Sequence, residues 1–166
     1  AATLSMLGEA EAAGALHEQL VAPYERLYGP DDTRTLDALA GKARTLARHH
    51  ELGYARKVYE RVLEGRERML GAEHEATLQC SARLAQVLAQ MGLQRHARNL
   101  QETVVGARER HAGPDHPATV QAREALAEIL ADGGDLDAVR AVQEALERTR
   151  VRSLGTAHPD TLSIQL

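Results

Sequence analysis

Three histidines recur at a fixed spacing and are the first residues of the chain that could do chemistry. His74, His116 and His158 lie 42 residues apart, and Pro117 follows His116 directly. Histidine is the commonest metal ligand in proteins and a frequent general acid or base. The ligands of one zinc ion must all lie about 2 Å from it, whereas these residues lie one repeat apart. The spacing therefore favours a structural role, with each histidine starting a helix.

Other reactive patterns are weak. His49 and His50 are adjacent, and neighbours on a helix point in different directions, so we do not expect both to bind one ion. Gly133-Gly134 lacks the preceding strand that a phosphate-binding loop needs. The sequence shows no Ser/His/Asp order and no paired-cysteine motif. We therefore expect no enzyme, no metal and no cofactor.

The single cysteine, Cys80, indicates both a position in the hydrophobic core and the redox state of the protein's surroundings. Its equivalents at the repeat spacing are all small or apolar, so we expect a core residue: they are Ala38, Ala122 and Ile164. One cysteine excludes an internal disulfide and fits a reducing, cytoplasmic setting.

Composition narrows the class of protein further. The 166 residues carry a formal charge of -4, with no Phe or Trp and four Tyr. An apolar share made of Ala, Leu and Val suits helix packing better than a β-sandwich. A nucleic-acid module would favour a basic face, and a transmembrane helix would need about 18 consecutive apolar residues. Neither is present, so we expect neither kind of partner. No signal peptide is visible at the N-terminus.

A seven-residue stretch, Gly113 to Thr119, recurs at one spacing without insertion or deletion. Its relatives begin at Gly29, Gly71 and Gly155, each 42 residues from the next. Such self-similarity indicates a repeat architecture. The predicted copies are a partial one at 1–28, three full ones at 29–70, 71–112 and 113–154, and a partial one at 155–166.

Each full copy reads as two helices joined by a tight turn. In the copy at 71–112 we expect a first helix from Glu75 to Gln90 and a second from Gln94 to His111. Glycine in the turn suits a left-handed helix end, and His50 is the one departure. Either His116 or Asp115 would cap the next first helix, and Pro117 would open it. Asp32 stands at the equivalent of His116.

Small and apolar residues recur in columns that would hold the helices together. The alanine column of the first helix is Ala1, Ala43, Ala85 and Ala127; the leucine column is Leu4, Leu46, Leu88 and Leu130; the second-helix column is Ala13, Ala55, Ala97 and Val139. Small residues allow close helix packing, and short links make neighbouring helices antiparallel. A helix pair of this kind needs neighbours on both sides, which predicts an all-α solenoid.

The pattern resembles the tetratricopeptide repeat (TPR), in the 42-residue variety of kinesin light chains and bacterial signalling proteins. The copy at 113–154 matches best, with Thr119, Ala127, Gly134 and His116-Pro117 in place. The family's second-helix aromatic is present as Tyr59 and is lost at Gln101 and Gln143. The resemblance implies a right-handed superhelix of about four repeats, whose first helices line a concave groove that binds peptides or proteins.

Carrying the groove over residue by residue predicts eleven partner-binding positions. They are Asp37, Arg44, Arg48, Gln79, Arg83, Gln86, Gln90, Gln121, Glu124, Glu128 and Asp132. Two columns, Arg44–Gln86–Glu128 and Arg48–Gln90–Asp132, change from positive to negative. Such a gradient would orient an extended partner. The alternative is a set of solvated helix faces with weak intrahelical ion pairs.

These observations lead to two hypotheses. The first is a scaffold that binds a protein or peptide in the groove. The second is a regulatory or sensor region of a larger signalling ATPase or transcription regulator, clamping a neighbouring domain. The ends lack polar capping helices, so we expect a piece of a longer array whose terminal faces could self-associate.

Overall fold

A computed structural model describes residues 19–154, and this part of the chain forms helices without any strand. The helices are α1 over residues 19–28, α2 (Thr33–Arg48), α3 (Leu52–Leu70), α4 (Glu75–Gln90), α5 (Gln94–Ala112), α6 (Pro117–Asp132) and α7 (Leu136–Leu154). The predicted bounds of α4 are confirmed, and α5 ends one residue beyond its predicted end. None of the described helices is both long and apolar enough to cross a membrane.

Helix lengths alternate in step with the sequence repeat. The first helix of each described pair has 16 residues and the second has 19. Each pair begins 42 residues after the one before it. The 42-residue period of the sequence is therefore also the period of the helices, without an insertion or deletion between the described pairs.

The helices fall into two compact units, one ending at Met91 and one beginning at Gly92. In the first unit α2 packs on α3, and α3 packs on α4. In the second, α5 packs on α6, and α6 packs on α7. The grouping of all copies, with the partial ones at 1–28 and 155–166, into one repeat domain stays a prediction.

The first helix of each pair begins with a side-chain cap. His74 Nδ1 accepts a hydrogen bond from the Ala76 N–H at 3.2 Å, and His116 repeats the contact with Ala118. In the earlier copy a carboxylate oxygen of Asp32 accepts in the same way. Each cap satisfies a backbone donor that the helix itself cannot pair. His116, and not Asp115, is therefore the capping residue, while His158 lies outside the described residues.

A buried threonine fastens each of these helix starts to the glycine before it. The three threonine hydroxyls donate to glycine carbonyls over 2.8–2.9 Å and are completely buried: Thr35 to Gly29, Thr77 to Gly71, and Thr119 to Gly113. Gly71 and Gly113 have φ of 91° and 90° with ψ of 159° and 164°. Only glycine adopts that conformation readily. The threonine and glycine thus form one joint, a role that sequence reasoning did not assign.

The turn inside each helix pair uses a different backbone geometry. Gly92 and Gly134 have φ of +77° and +76°, as predicted for left-handed helix ends. His50 takes the same place with φ of +60° and is the only described non-glycine residue with positive φ. A side chain in this region carries a steric cost that glycine avoids.

The predicted packing columns are buried most completely near the middle of the described chain. Ala43, Ala85, Ala55 and Ala97 have no exposed surface. Leu88 and Leu130 are buried as well, whereas Ala127, Val139 and Leu46 are only half-buried. Ala1, Leu4 and Ala13 lie outside the described residues. Small side chains at these positions allow close packing of helices within each unit.

Candidate functional site

Two adjoining clefts lie between α2 and α4 in the first unit, with α3 beneath them. The first has a volume of about 270 Å³ and the second about 260 Å³. We call the two together the α2–α4 cleft. The first is lined by Asp37, Ala40, Gly41, Arg44, Tyr59, Arg66, Gln79, Cys80 and Arg83. The second is lined by Arg44, Ala47, Arg48, His50, Tyr59, Arg83, Gln86, Val87 and Gln90.

All seven groove positions predicted on α2 and α4 lie in this lining. They are Asp37, Arg44, Arg48, Gln79, Arg83, Gln86 and Gln90. Helical spacing explains the grouping, because residues three or four apart share one face. All seven are exposed.

The four predicted positions of the second unit lie along one face of α6. Gln121, Glu124, Glu128 and Asp132 are three or four residues apart, and all are exposed. This face is acidic, whereas the α2–α4 cleft is basic. The predicted charge gradient along α2, α4 and α6 stays a prediction.

Tyr59 of α3 closes the bottom of the cleft. Only 3% of its surface is exposed, and it lines both parts of the cleft. Burial raises the pKa of Tyr59, and the positive charges of Arg83 and Arg44 act against that rise. The phenol is therefore neutral at physiological pH and can donate a hydrogen bond. No described residue forms a hydrogen bond with its hydroxyl.

The charge of the cleft is positive because its one carboxylate is already engaged. Arg66 Nη2 donates to Asp37 Oδ1 over 2.6 Å. Arg83 Nη1 donates to Gln86 Oε1 over 3.3 Å, a neutral partner. Arg44 and Arg48 are exposed and form no ion pair within the described part of the chain. Arg44, Arg48 and Arg83 therefore line the cleft without a carboxylate partner among residues 19–154.

Arg66 is a cleft residue that sequence reasoning missed. Its Nη1 donates to the Ala76 carbonyl over 2.8 Å, and 42 residues later Arg108 donates to Ala118 over 3.0 Å. These bonds tie the end of one repeat to the first turn of the next. The sequence did contain a signal for this contact, because arginine recurs 42 residues later. A charged residue that recurs on a half-buried helix suggests a contact that recurs with it.

Cys80 forms part of the wall beneath the cleft. It is 2% exposed, and its Sγ lies 3.5 Å from the Tyr59 carbonyl. Burial raises the pKa of the thiol to about 11. The prediction of a core residue is confirmed, and the neutral thiol is a poor nucleophile.

The equivalent of Tyr59 in the second unit has different chemistry. Gln101 has no exposed surface, and its Nε2 donates to the Ala122 carbonyl over 2.8 Å. Its Oε1 has no hydrogen-bond partner. Gln143, one repeat further on, is exposed. An aromatic floor with an open hydroxyl is thus found in the α2–α4 cleft and is not repeated at these two positions.

Metal ligands do not gather in the part of the chain that the structure describes. Within residues 19–154 no group of three or more His, Cys, Asp or Glu side chains is placed to hold an ion. His74 and His116 each use Nδ1 to cap a helix.

Helix pairs of constant length, joined at a repeated glycine and threonine, define a helical repeat protein. A family model for the tetratricopeptide repeat matches residues 35–76 and 77–118. The chain belongs to the tetratricopeptide repeat family. Members of this family are generally protein-interaction scaffolds that bind proteins or peptides. No curated protein matches the sequence.

Solved structures show the same fold at low sequence identity. Nearly identical TPR-like repeats from Podosopora anserina, assigned to a kinesin light chain, match with a TM-score of 0.85 and 22% identity. The match covers 96% of this chain and 76% of that one, and a single-substitution variant gives a TM-score of 0.84 at the same identity and coverage. BtubC (BKLC) from P. vanneervenii matches with a TM-score of 0.80 and 17% identity, over 92% of this chain and 60% of that one. The predicted all-α, TPR-like solenoid fold is confirmed.

Proposed function

We propose that this chain is a scaffold that binds a segment of a partner protein in the α2–α4 cleft. The observation that carries the proposal is the lining of the cleft, where seven exposed polar side chains from two successive first helices face one opening. Binding sites in general are concave and place a few polar groups around an apolar floor. Ala40, Ala47 and the Tyr59 ring supply that floor.

The side chains around the opening suit an extended peptide. Gln79, Gln86 and Gln90 carry amides that can both donate to and accept from a peptide backbone. Arg44 and Arg48 pair with no carboxylate of residues 19–154, so binding would not have to break an ion pair within this part of the chain. Because the cleft is positive, we expect the bound segment to carry negative charge. The buried, neutral Cys80 fits the cytoplasmic setting that we propose for this scaffold.

An immobilised peptide array tests the proposal. Peptides selected by the native chain should bind the double variant Arg44→Glu, Arg48→Glu about tenfold more weakly or worse, because reversed charges repel an acidic segment. Affinities would be measured by fluorescence anisotropy, and helicity by circular dichroism.

The matched control reverses two exposed arginines elsewhere, Arg95 of α5 and Arg140 of α7. Arg95→Glu, Arg140→Glu changes the net charge by the same amount, so it should leave the selected peptides bound as tightly as before. Equal losses in the two double variants would show a general charge effect and overturn the proposed site.

A further inference from the structure

Three residues stand at the junction of the two parts of the α2–α4 cleft. Arg44, Tyr59 and Arg83 line both parts, and each comes from a different helix. The two arginines are exposed at the rim of the cleft, and the Tyr59 ring lies at its floor. A ligand atom at this junction can therefore meet all three side chains.

The hydrogen-bond capacity of these side chains is largely unused. Arg44 makes no hydrogen bond within the described part of the chain, and Arg83 donates once, to the neutral Gln86. Tyr59 is 3% exposed, yet its hydroxyl has no partner among the described residues. The phenol hydroxyl lines the cleft and can therefore donate a hydrogen bond to an acceptor bound there.

Charge and donor count favour one kind of acceptor. The two arginines supply two positive charges, and the carboxylate in the cleft lining, Asp37, is engaged by Arg66 at 2.6 Å. Arg48 adds a third guanidinium to the second part of the cleft. A phosphate monoester carries a charge near -2 at neutral pH and three strong acceptor oxygens, whereas a carboxylate carries -1 and two oxygens. Three donor side chains match the phosphate better.

We propose that Arg44, Arg83 and Tyr59 form a subsite for a phosphorylated side chain of the bound segment. This proposal rests on the proposed peptide-binding function. The two guanidinium groups bind the phosphate oxygens, and the Tyr59 hydroxyl donates the third contact from below. The site distinguishes a phosphorylated segment from its unmodified form.

The repeat itself shows that the fold does not require this set. One period later the equivalent residues are Gln86, Gln101 and Ala125, all uncharged. The helices that carry them have the same lengths as α2, α3 and α4. Arg44, Tyr59 and Arg83 thus differ from their equivalents one period later, and the helices keep the same lengths with either set.

Three matched, blocked pentapeptides test the subsite, with phosphoserine, glutamate or serine at the centre of an alanine host. The full 166-residue chain should bind the phosphoserine peptide about tenfold more tightly than the glutamate peptide, because charge-assisted hydrogen bonds to an added oxygen strengthen the complex. The serine peptide should bind most weakly. Isothermal titration calorimetry measures all three.

Substitutions then assign the contacts. Arg44→Gln and Arg83→Gln should each weaken phosphopeptide binding about tenfold. Tyr59→Phe keeps the ring and removes only the hydroxyl, so a severalfold loss with unchanged helicity identifies that hydroxyl as a donor. Arg95→Gln, in α5, serves as the control and should leave the affinity unchanged.

Two results would overturn the subsite. One is equal affinity for the phosphoserine and glutamate peptides, and the other is phosphopeptide binding that the three cleft substitutions leave unchanged. If array-selected peptides still depend on Arg44 and Arg48 in either case, peptide binding stands and only the phosphate assignment fails. If they do not, both proposals fail.

Discussion

The threonine hydroxyls illustrate how much one atom contributes to this fold. Thr77 is completely buried and donates to the Gly71 carbonyl over 2.9 Å. A hydrogen bond of this kind contributes about 1 kcal/mol net, and a buried acceptor that loses its donor adds a further cost. The side chain thus stabilises a helix start and a glycine conformation together.

Thr77→Val tests that role, since it keeps the shape and removes the hydroxyl. We expect the free energy of unfolding to fall by about 1–2 kcal/mol, measured by urea denaturation. The control is Thr103→Val, because the exposed Thr103 hydroxyl only contacts the Asn99 carbonyl in its own helix. Equal effects of the two substitutions would contradict a special role for the joint.

A second prediction for a single residue concerns the reactivity of the Cys80 thiol. Because burial raises the pKa of its thiol to about 11, the reactive thiolate is scarce until the pH approaches that value. Alkylation by iodoacetamide at about pH 8 should therefore be much slower in the folded chain than in urea, where an ordinary thiol has a pKa near 8.5. Mass spectrometry follows the reaction, and comparable rates in the two states would show that Cys80 is exposed.

At the scale of helices, the turns within the pairs show where one copy departs from the others. His50 stands in a left-handed conformation that Gly92 and Gly134 occupy elsewhere. The N–H groups of His50 and Glu51 donate to the carbonyls of Ala47 and Leu46 and close the helix end, so His50 keeps this conformation despite its steric cost. The same histidine lines the second part of the cleft.

His50→Gly should stabilise the chain by about 1 kcal/mol, because glycine removes the steric cost of positive φ. The reciprocal change, Gly92→Ala, should destabilise it by a similar amount. Thermal and urea unfolding measure both variants. A loss of stability in His50→Gly would mean that the imidazole contributes more than the strain costs.

Helix bounds and caps were predictable because their causes are local. Glycine at Gly92 and a capping histidine at His74 act within a few residues of where they stand. The polar face of α2 and α4 was predictable for the same reason, since helical spacing alone places Arg44 and Arg48 on one side.

Contacts between helices were not predictable in the same way. The Arg66 bond to Ala76, the Thr77 joint and the open hydroxyl of Tyr59 all depend on which side chains meet across helices. Spacing in the sequence shows that such residues recur or fail to recur, but it gives neither a partner nor a distance. Sequence reasoning therefore identified the rim of the cleft but did not place Tyr59 in its floor or Arg66 in its lining.

At the scale of the whole molecule, framework and site use different residues. The joint threonines, their glycines and the capping residues repeat every 42 residues. The cleft residues change from copy to copy, as the pair Tyr59 and Gln101 shows. A protein built in this way can alter what it binds without altering how it folds, which agrees with the low identity it shares with structures of the same fold.

The position of Tyr59 gives the molecule an intrinsic optical probe. The chain has no tryptophan and four tyrosines, so its near-ultraviolet emission comes from tyrosine alone. Of the three described tyrosines other than Tyr59, none lines the cleft. The difference between the spectra of the native chain and Tyr59→Phe isolates a signal from the cleft floor. Occupancy of the cleft can then be read from unlabelled protein.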